Sequence, residues 1–87
     1  GYKDICSISW NFSKTNLMAT INIFDAEGRL VKNILNNKLI GNFGDVTWDG
    51  TSEEGYQLNT GMYIVWVEVF EDSGNVEQFK EVVVLSR

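Results

Sequence analysis

The chain has 87 residues, 44% hydrophobic and 22% charged, a size and composition that allow one globular domain with a modest core. Twelve acidic residues against seven basic ones leave a net charge of -5, a field that repels phosphate backbones and speaks against nucleic acid as a partner. Histidine is absent and cysteine occurs once, which removes the commonest general base, Ser-His and Cys-His nucleophile pairs, and any thiolate-rich zinc site.

The opening residues Gly1 to Asp4 are polar and carry no signal-peptide core. No apolar run approaches the length of a membrane span, so no membrane insertion is expected. A strand-like pattern begins almost at once, and residues 1–87 read as a single module excised from a longer protein. Cys6 lies on an alternating apolar stretch and reads as a small core residue. Ile8, Trp10 and Phe12 alternate with Ser9 and Asn11, the period of a half-buried strand. After a polar turn, Leu17 to Phe24 repeats the pattern, with Ala19, Ile21 and Ile23 on one face and Met18, Thr20, Asn22 and Phe24 on the other.

Asp25-Ala26-Glu27-Gly28 predicts a hairpin turn, Gly28 occupying the left-handed position of a type I turn plus bulge. The return segment Arg29 to Leu35 fits a strand or a helical turn, and its shortness and the tight turn before it favour the strand. Asn36-Asn37 breaks the pattern, and Lys38 to Phe43 reads as a short edge strand or loop ended by Gly44. Val46-Thr47-Trp48 is a short strand, followed by a loop from Asp49 to Thr60. The strongest strand is Met62 to Glu71, with Tyr63, Val65, Val67 and Val69 facing inward and Ile64, Trp66, Glu68 and Phe70 outward. Asp72 to Asn75 turns the chain into a last strand, Val76 to Leu85. About seven short strands without a convincing helix predict an all-β, immunoglobulin-like antiparallel β-sandwich.

Four motifs recur in a recognisable order. They are Ile21 to Val31, with Asp25, Gly28 and Arg29 in the turn; Trp48-Asp49-Gly50; Glu54-Gly55; and Gly61-Met62-Tyr63. Together they resemble the FlgD-type Ig-like domain, a family named for flagellar hook-capping proteins. The ending Lys80 to Arg87 is similar to the C-terminal sorting domains of the type IX secretion system of Bacteroidetes. The resemblance covers roughly residues 17–87. It implies a non-catalytic structural module of a secreted or cell-surface protein, needing no cofactor. Its implied partners are neighbouring domains of that protein and secretion or surface-attachment machinery. The residues it carries over are Asp25, Gly28, Arg29, Trp48, Asp49, Gly50, Gly55, Gly61 and Tyr63.

Three candidate sites follow from residue chemistry. Asp45, Asp49, Glu53 and Glu54 offer oxygen ligands around the long loop but lack the spacing of a calcium-binding EF-hand. The structural alternative is that Trp48 fills the core and Asp49 accepts backbone N–H groups within the turn. Pairs such as Glu53-Glu54, Glu71-Asp72 and Asp49-Glu53 are the residue types of glycoside hydrolysis, but so short a chain builds no cleft to raise one pKa. Finally, a tight hairpin centred on Ser73-Gly74 sets Glu68 opposite Phe79 and Trp66 opposite Glu81. Trp66, Phe70 and Phe79 then share one outward strip, with Tyr56 near its end, for domain packing or carbohydrate stacking; with the faces inverted they are core.

Overall fold

A computed structural model describes residues 6–86; the expectations for Gly1 to Asp4 and for Arg87 lie outside the described residues. Six strands are present: β1 (Cys6–Asn11), β2 (Leu17–Asp25), β3 (Leu30–Ile40), β4 (Phe43–Trp48), β5 (Gly61–Glu71) and β6 (Val76–Leu85). They form two antiparallel sheets, a four-stranded one ordered β3-β2-β5-β6 and a two-stranded one pairing β1 with β4. This is the expected Ig-like sandwich with six strands rather than about seven.

The difference in number arises at Asn36-Asn37. Those residues do not end a strand; β3 runs through them, and its pairing with β2 shifts register nearby. Asn37 takes a positive φ of 52 and its amide donates to the Thr20 hydroxyl at 3.0 Å, as at a bulge. Lys38 to Ile40 therefore belongs to β3, while Phe43 and Gly44 begin β4.

The core follows the period-two pattern. Leu17, Ala19, Ile21 and Ile23 of β2 are almost fully buried, and Tyr63, Val65 and Val69 of β5 lie beside them. Trp48 at the end of β4 and Leu85 at the end of β6 close one end of this cluster. Cys6, Ile8 and Val46 of the small sheet pack onto it from above.

The small sheet contains one close approach. Gly44 pairs with Trp10 across the β1–β4 ladder, and the Trp10 indole donates to the Gly41 carbonyl at 2.9 Å. A Cβ added at Gly44 would stand 2.7 Å from Trp10 Cζ2. Gly44→Ala must therefore displace an anchored ring, and it is expected to cost about 1–3 kcal/mol in a urea titration. An unchanged midpoint would mean that the ring moves aside freely.

The two hairpins of the large sheet share one turn. Asp25 and Glu71 each accept from a glycine amide three residues on, Gly28 at 3.0 Å and Gly74 at 2.9 Å. Each also donates its own amide to the residue four on, both at 2.9 Å, leaving three residues in the loop. Gly28 and Gly74 sit at φ of 87 and 98, the left-handed residue that ends a type I turn with a bulge.

Candidate functional site

The loop between β4 and β5 is built on Trp48. Its ring meets Tyr63 edge-on, with centroids 5.4 Å apart and planes at 67°. Its indole N–H donates to the Thr51 carbonyl at 2.9 Å, so the largest buried side chain is also satisfied as a donor. Asp49 Oδ1 accepts the Thr51 hydroxyl at 2.6 Å and the Thr51 amide at 3.2 Å. Those bonds, the hydroxyl first, hold the Asp49 carboxyl below the usual carboxylate range. Ser52 and Tyr56 close the next turn through their backbones at 2.8 Å, and Leu58 donates to the Gly50 carbonyl at 2.9 Å. Gly50 and Gly55 take positive φ within this loop. At its far end, past Gly61 at the start of β5, the Tyr63 hydroxyl donates to the Asn59 carbonyl at 2.6 Å.

The loop also docks on β3. Glu53 donates its amide to the Val31 carbonyl at 2.9 Å, and its carboxylate accepts the Asn33 amide at 3.0 Å. Lys32 Nζ reaches the Ser52 carbonyl at 3.3 Å. The loop thus occupies part of an otherwise unpaired sheet edge, where exposed N–H and C=O groups would invite another strand. Asp49 and Glu53 are engaged in these internal bonds, while Asp45 and Glu54 are exposed. Among the described residues no group of three or more metal-ligating side chains comes together.

The first hairpin is organised around Asp25. Its Oδ1 accepts the amides of Glu27 at 3.0 Å and Arg29 at 2.9 Å, and Oδ2 pairs with Arg29 Nε at 2.8 Å. The Arg29 amide, then the guanidinium and the Glu27 amide, hold the Asp25 carboxyl below its ordinary range. Glu71 in the second hairpin is lowered chiefly by Lys14, whose ammonium pairs with it at 2.8 Å and is itself raised by that bond.

These directions fix a pH dependence. The depressed carboxyls of Asp25, Asp49 and Glu71 contribute stability above their unfolded values, near pH 4, and lose it as pH falls through their folded values. The raised Lys14 contributes below roughly pH 10 and loses its share above that. The urea midpoint is therefore expected to stay level between about pH 5 and 9 and to fall below about pH 4. Asp25→Asn should flatten part of the acid limb; an identical limb in that variant would remove Asp25 from the account.

The last hairpin corrects the aromatic strip. Its three-residue turn pairs Val67 with Phe79 and Trp66 with Lys80, one residue away from the register expected of a turn centred on Ser73-Gly74. A shift of one residue moves a side chain to the other face. Phe79 accordingly lies on the inward row with Val67, its ring 5.9 Å from Phe12. Trp66 and Phe70 remain together on the outer face, both half-buried, with the Lys80 ammonium 5.8 Å over the Trp66 ring. Tyr56 is exposed in the loop that docks on β3, at the opposite edge of the sheet from β6. No continuous strip joins Trp66, Phe70, Phe79 and Tyr56.

Sequence reasoning missed a groove between the sheets, bordered by β1 and β6. The signal was present in the last strand, where Glu77 and Glu81 interrupt the inward row of Phe79, Val83 and Leu85. A fully packed strand would not alternate in that way.

A model of the FlgD Ig-like domain family matches residues 4–73. Among solved structures, the crystal structure of FlgD from P. aeruginosa superposes with a TM-score of 0.71 at 20% sequence identity, a likeness of fold. The match covers 93% of this chain and 62% of that one, so the chain spans less than two thirds of the FlgD structure. No curated protein matches the chain.

Proposed function

The chain belongs to the FlgD Ig-like domain family, and from that membership we propose that it serves as a non-catalytic structural module of a larger exported protein. The observation that carries this reading is the use made of the motif residues. Trp48 is core, Asp49 holds Thr51, Asp25 holds Arg29, and Tyr63 ties down Asn59. Each polar group that distinguishes the family pattern is bonded to the domain's own backbone or turns, including Asp25, Arg29 and Tyr63, which also border a surface hollow. Such residues make a rigid unit that neighbouring domains can lean on.

The finer reading concerns β6. It is one of the two edge strands of the large sheet, exposed along most of its length and anchored at its end by buried Leu85. We propose that it is the strand offered to export or surface-attachment machinery, in the manner of type IX sorting domains, which places the parent protein at the cell surface. Val82 and Val84 are 59% and 68% exposed, so replacing both with aspartate should leave the fold intact. Surface export of the parent protein is expected to drop while the melting temperature of the domain holds. Export at the unaltered level would overturn the sorting role.

The carbohydrate-binding alternative has less behind it. Lys80 already covers part of the Trp66 ring, and Phe79 belongs to the other face.

A further inference from the structure

β1 pairs with β4 alone among the described residues, so its other edge carries unpaired backbone N–H and C=O groups. Beneath that edge a cavity of about 470 Å³ runs between the sheets. Its floor is apolar, formed by Ile21, Val65 and Val67, and its far wall is the inward row of β6, namely Phe79, Glu81 and Val83. Phe79 is 41% exposed beside it, so the space is an open groove whose apolar lining is left uncovered on one side. A free strand edge, an apolar floor and a length of six residues along β1 are what an added strand requires.

Charge and topology say what covers the groove. Glu81 is the one charged residue lining the groove; it is exposed at the rim, with no hydrogen-bond or ion-pair partner among the described residues. An occupant that brings a cation there gains an ion pair beside an apolar floor. A single extended strand needs only the free edge of β1 and the apolar lining beside it, both supplied within one domain.

We propose that the groove receives one extended strand of a partner polypeptide, hydrogen-bonded along the free edge of β1. Its alternate apolar side chains face Val67, Phe79 and Val83, and a lysine or arginine among them meets Glu81. The strand completes the small sheet and gives the sandwich its seventh member. This inference stands apart from the export role of β6, which depends on the outward valines.

The test uses the whole chain and a short synthetic peptide that alternates valine and threonine, with one central inward valine replaced by lysine. Trp10 and Cys6 both line the groove and give two readouts. Saturable quenching or shift of tryptophan fluorescence reports binding, and occupation should slow modification of the Cys6 thiol several-fold. Glu81→Lys is expected to weaken the lysine peptide by roughly fivefold and to prefer a peptide carrying glutamate at that place. The reversed preference also shows that the variant is folded. Failure to saturate at millimolar peptide, an unchanged Cys6 rate in the bound state, or indifference to the charge exchange would each overturn the proposal. So would sedimentation showing that the chain fills the groove by dimerising.

Discussion

Trp48→Ala is expected to lower the stability of the domain by about 3–5 kcal/mol, the range for emptying a buried aromatic position. Against a total on the order of 5–15 kcal/mol, that change puts a visible fraction of the protein in the unfolded state at moderate temperature. The size of the effect comes from three roles held by one side chain. Trp48 is 2% exposed, it meets Tyr63 of the other sheet edge-on, and its indole N–H satisfies the Thr51 carbonyl that begins the loop. Removing the ring leaves a void between the sheets, strips Tyr63 of its partner and frees the loop that docks on β3. Trp48→Phe separates these roles, since it keeps a ring in the core and deletes the donor. It should cost about 1–2 kcal/mol, near the value of one partly buried hydrogen bond plus lost volume. Urea unfolding followed through circular dichroism measures both. A loss below about 1 kcal/mol for the alanine variant would show that the sheets hold together without this pin.

What the sequence made legible was local. Period-two alternation in β5 put Tyr63, Val65, Val67 and Val69 on the inward face, where three are buried and Val67 is half-buried; in β2 it set Ala19, Ile21 and Ile23 on one face, which is the buried one. The Asp25–Gly28 turn was recognisable because aspartate and glycine occupy fixed positions in it. The second turn has the same hydrogen-bonding pattern with Glu71 in place of aspartate, and reading it as two residues long sent Phe79 to the wrong face. A glycine at the third loop position was the available sign. At Asn36-Asn37 the error was of another kind. Polar residues interrupt a strand pattern in the same way whether the strand ends or bulges, and only the pairing with β2 distinguishes the two. The docking of Glu53 on Val31 and Asn33 joins residues about twenty positions apart, and no local pattern encodes it. The groove is a relation between two strands at opposite ends of the chain, and its one local sign was the interruption of the inward row of β6 by Glu77 and Glu81.

The second large effect belongs to β2, where two neighbouring isoleucines on one face should respond differently. Ile23→Ala is expected to cost about 3–4 kcal/mol, and Ile21→Ala about 1 kcal/mol less. Both side chains are buried, at 0% and 1% exposure, and both belong to the same cluster. They differ in what lies beyond them. Ile23 is enclosed, so truncation leaves a sealed void and forfeits packing on every side as well as the transfer free energy of the lost carbons. Ile21 lines the inter-sheet groove, and the space vacated there joins a cavity already present. Its loss is closer to the transfer term alone. Equal losses at the two sites would mean that the groove is closed in solution. With a strand bound beside β1, the prediction reverses in part: the strand caps the space that truncation opens toward the groove, and Ile21→Ala should then approach the cost at Ile23. Comparing the two variants with and without the peptide therefore measures, from within the core, whether the sandwich is finished by its own six strands.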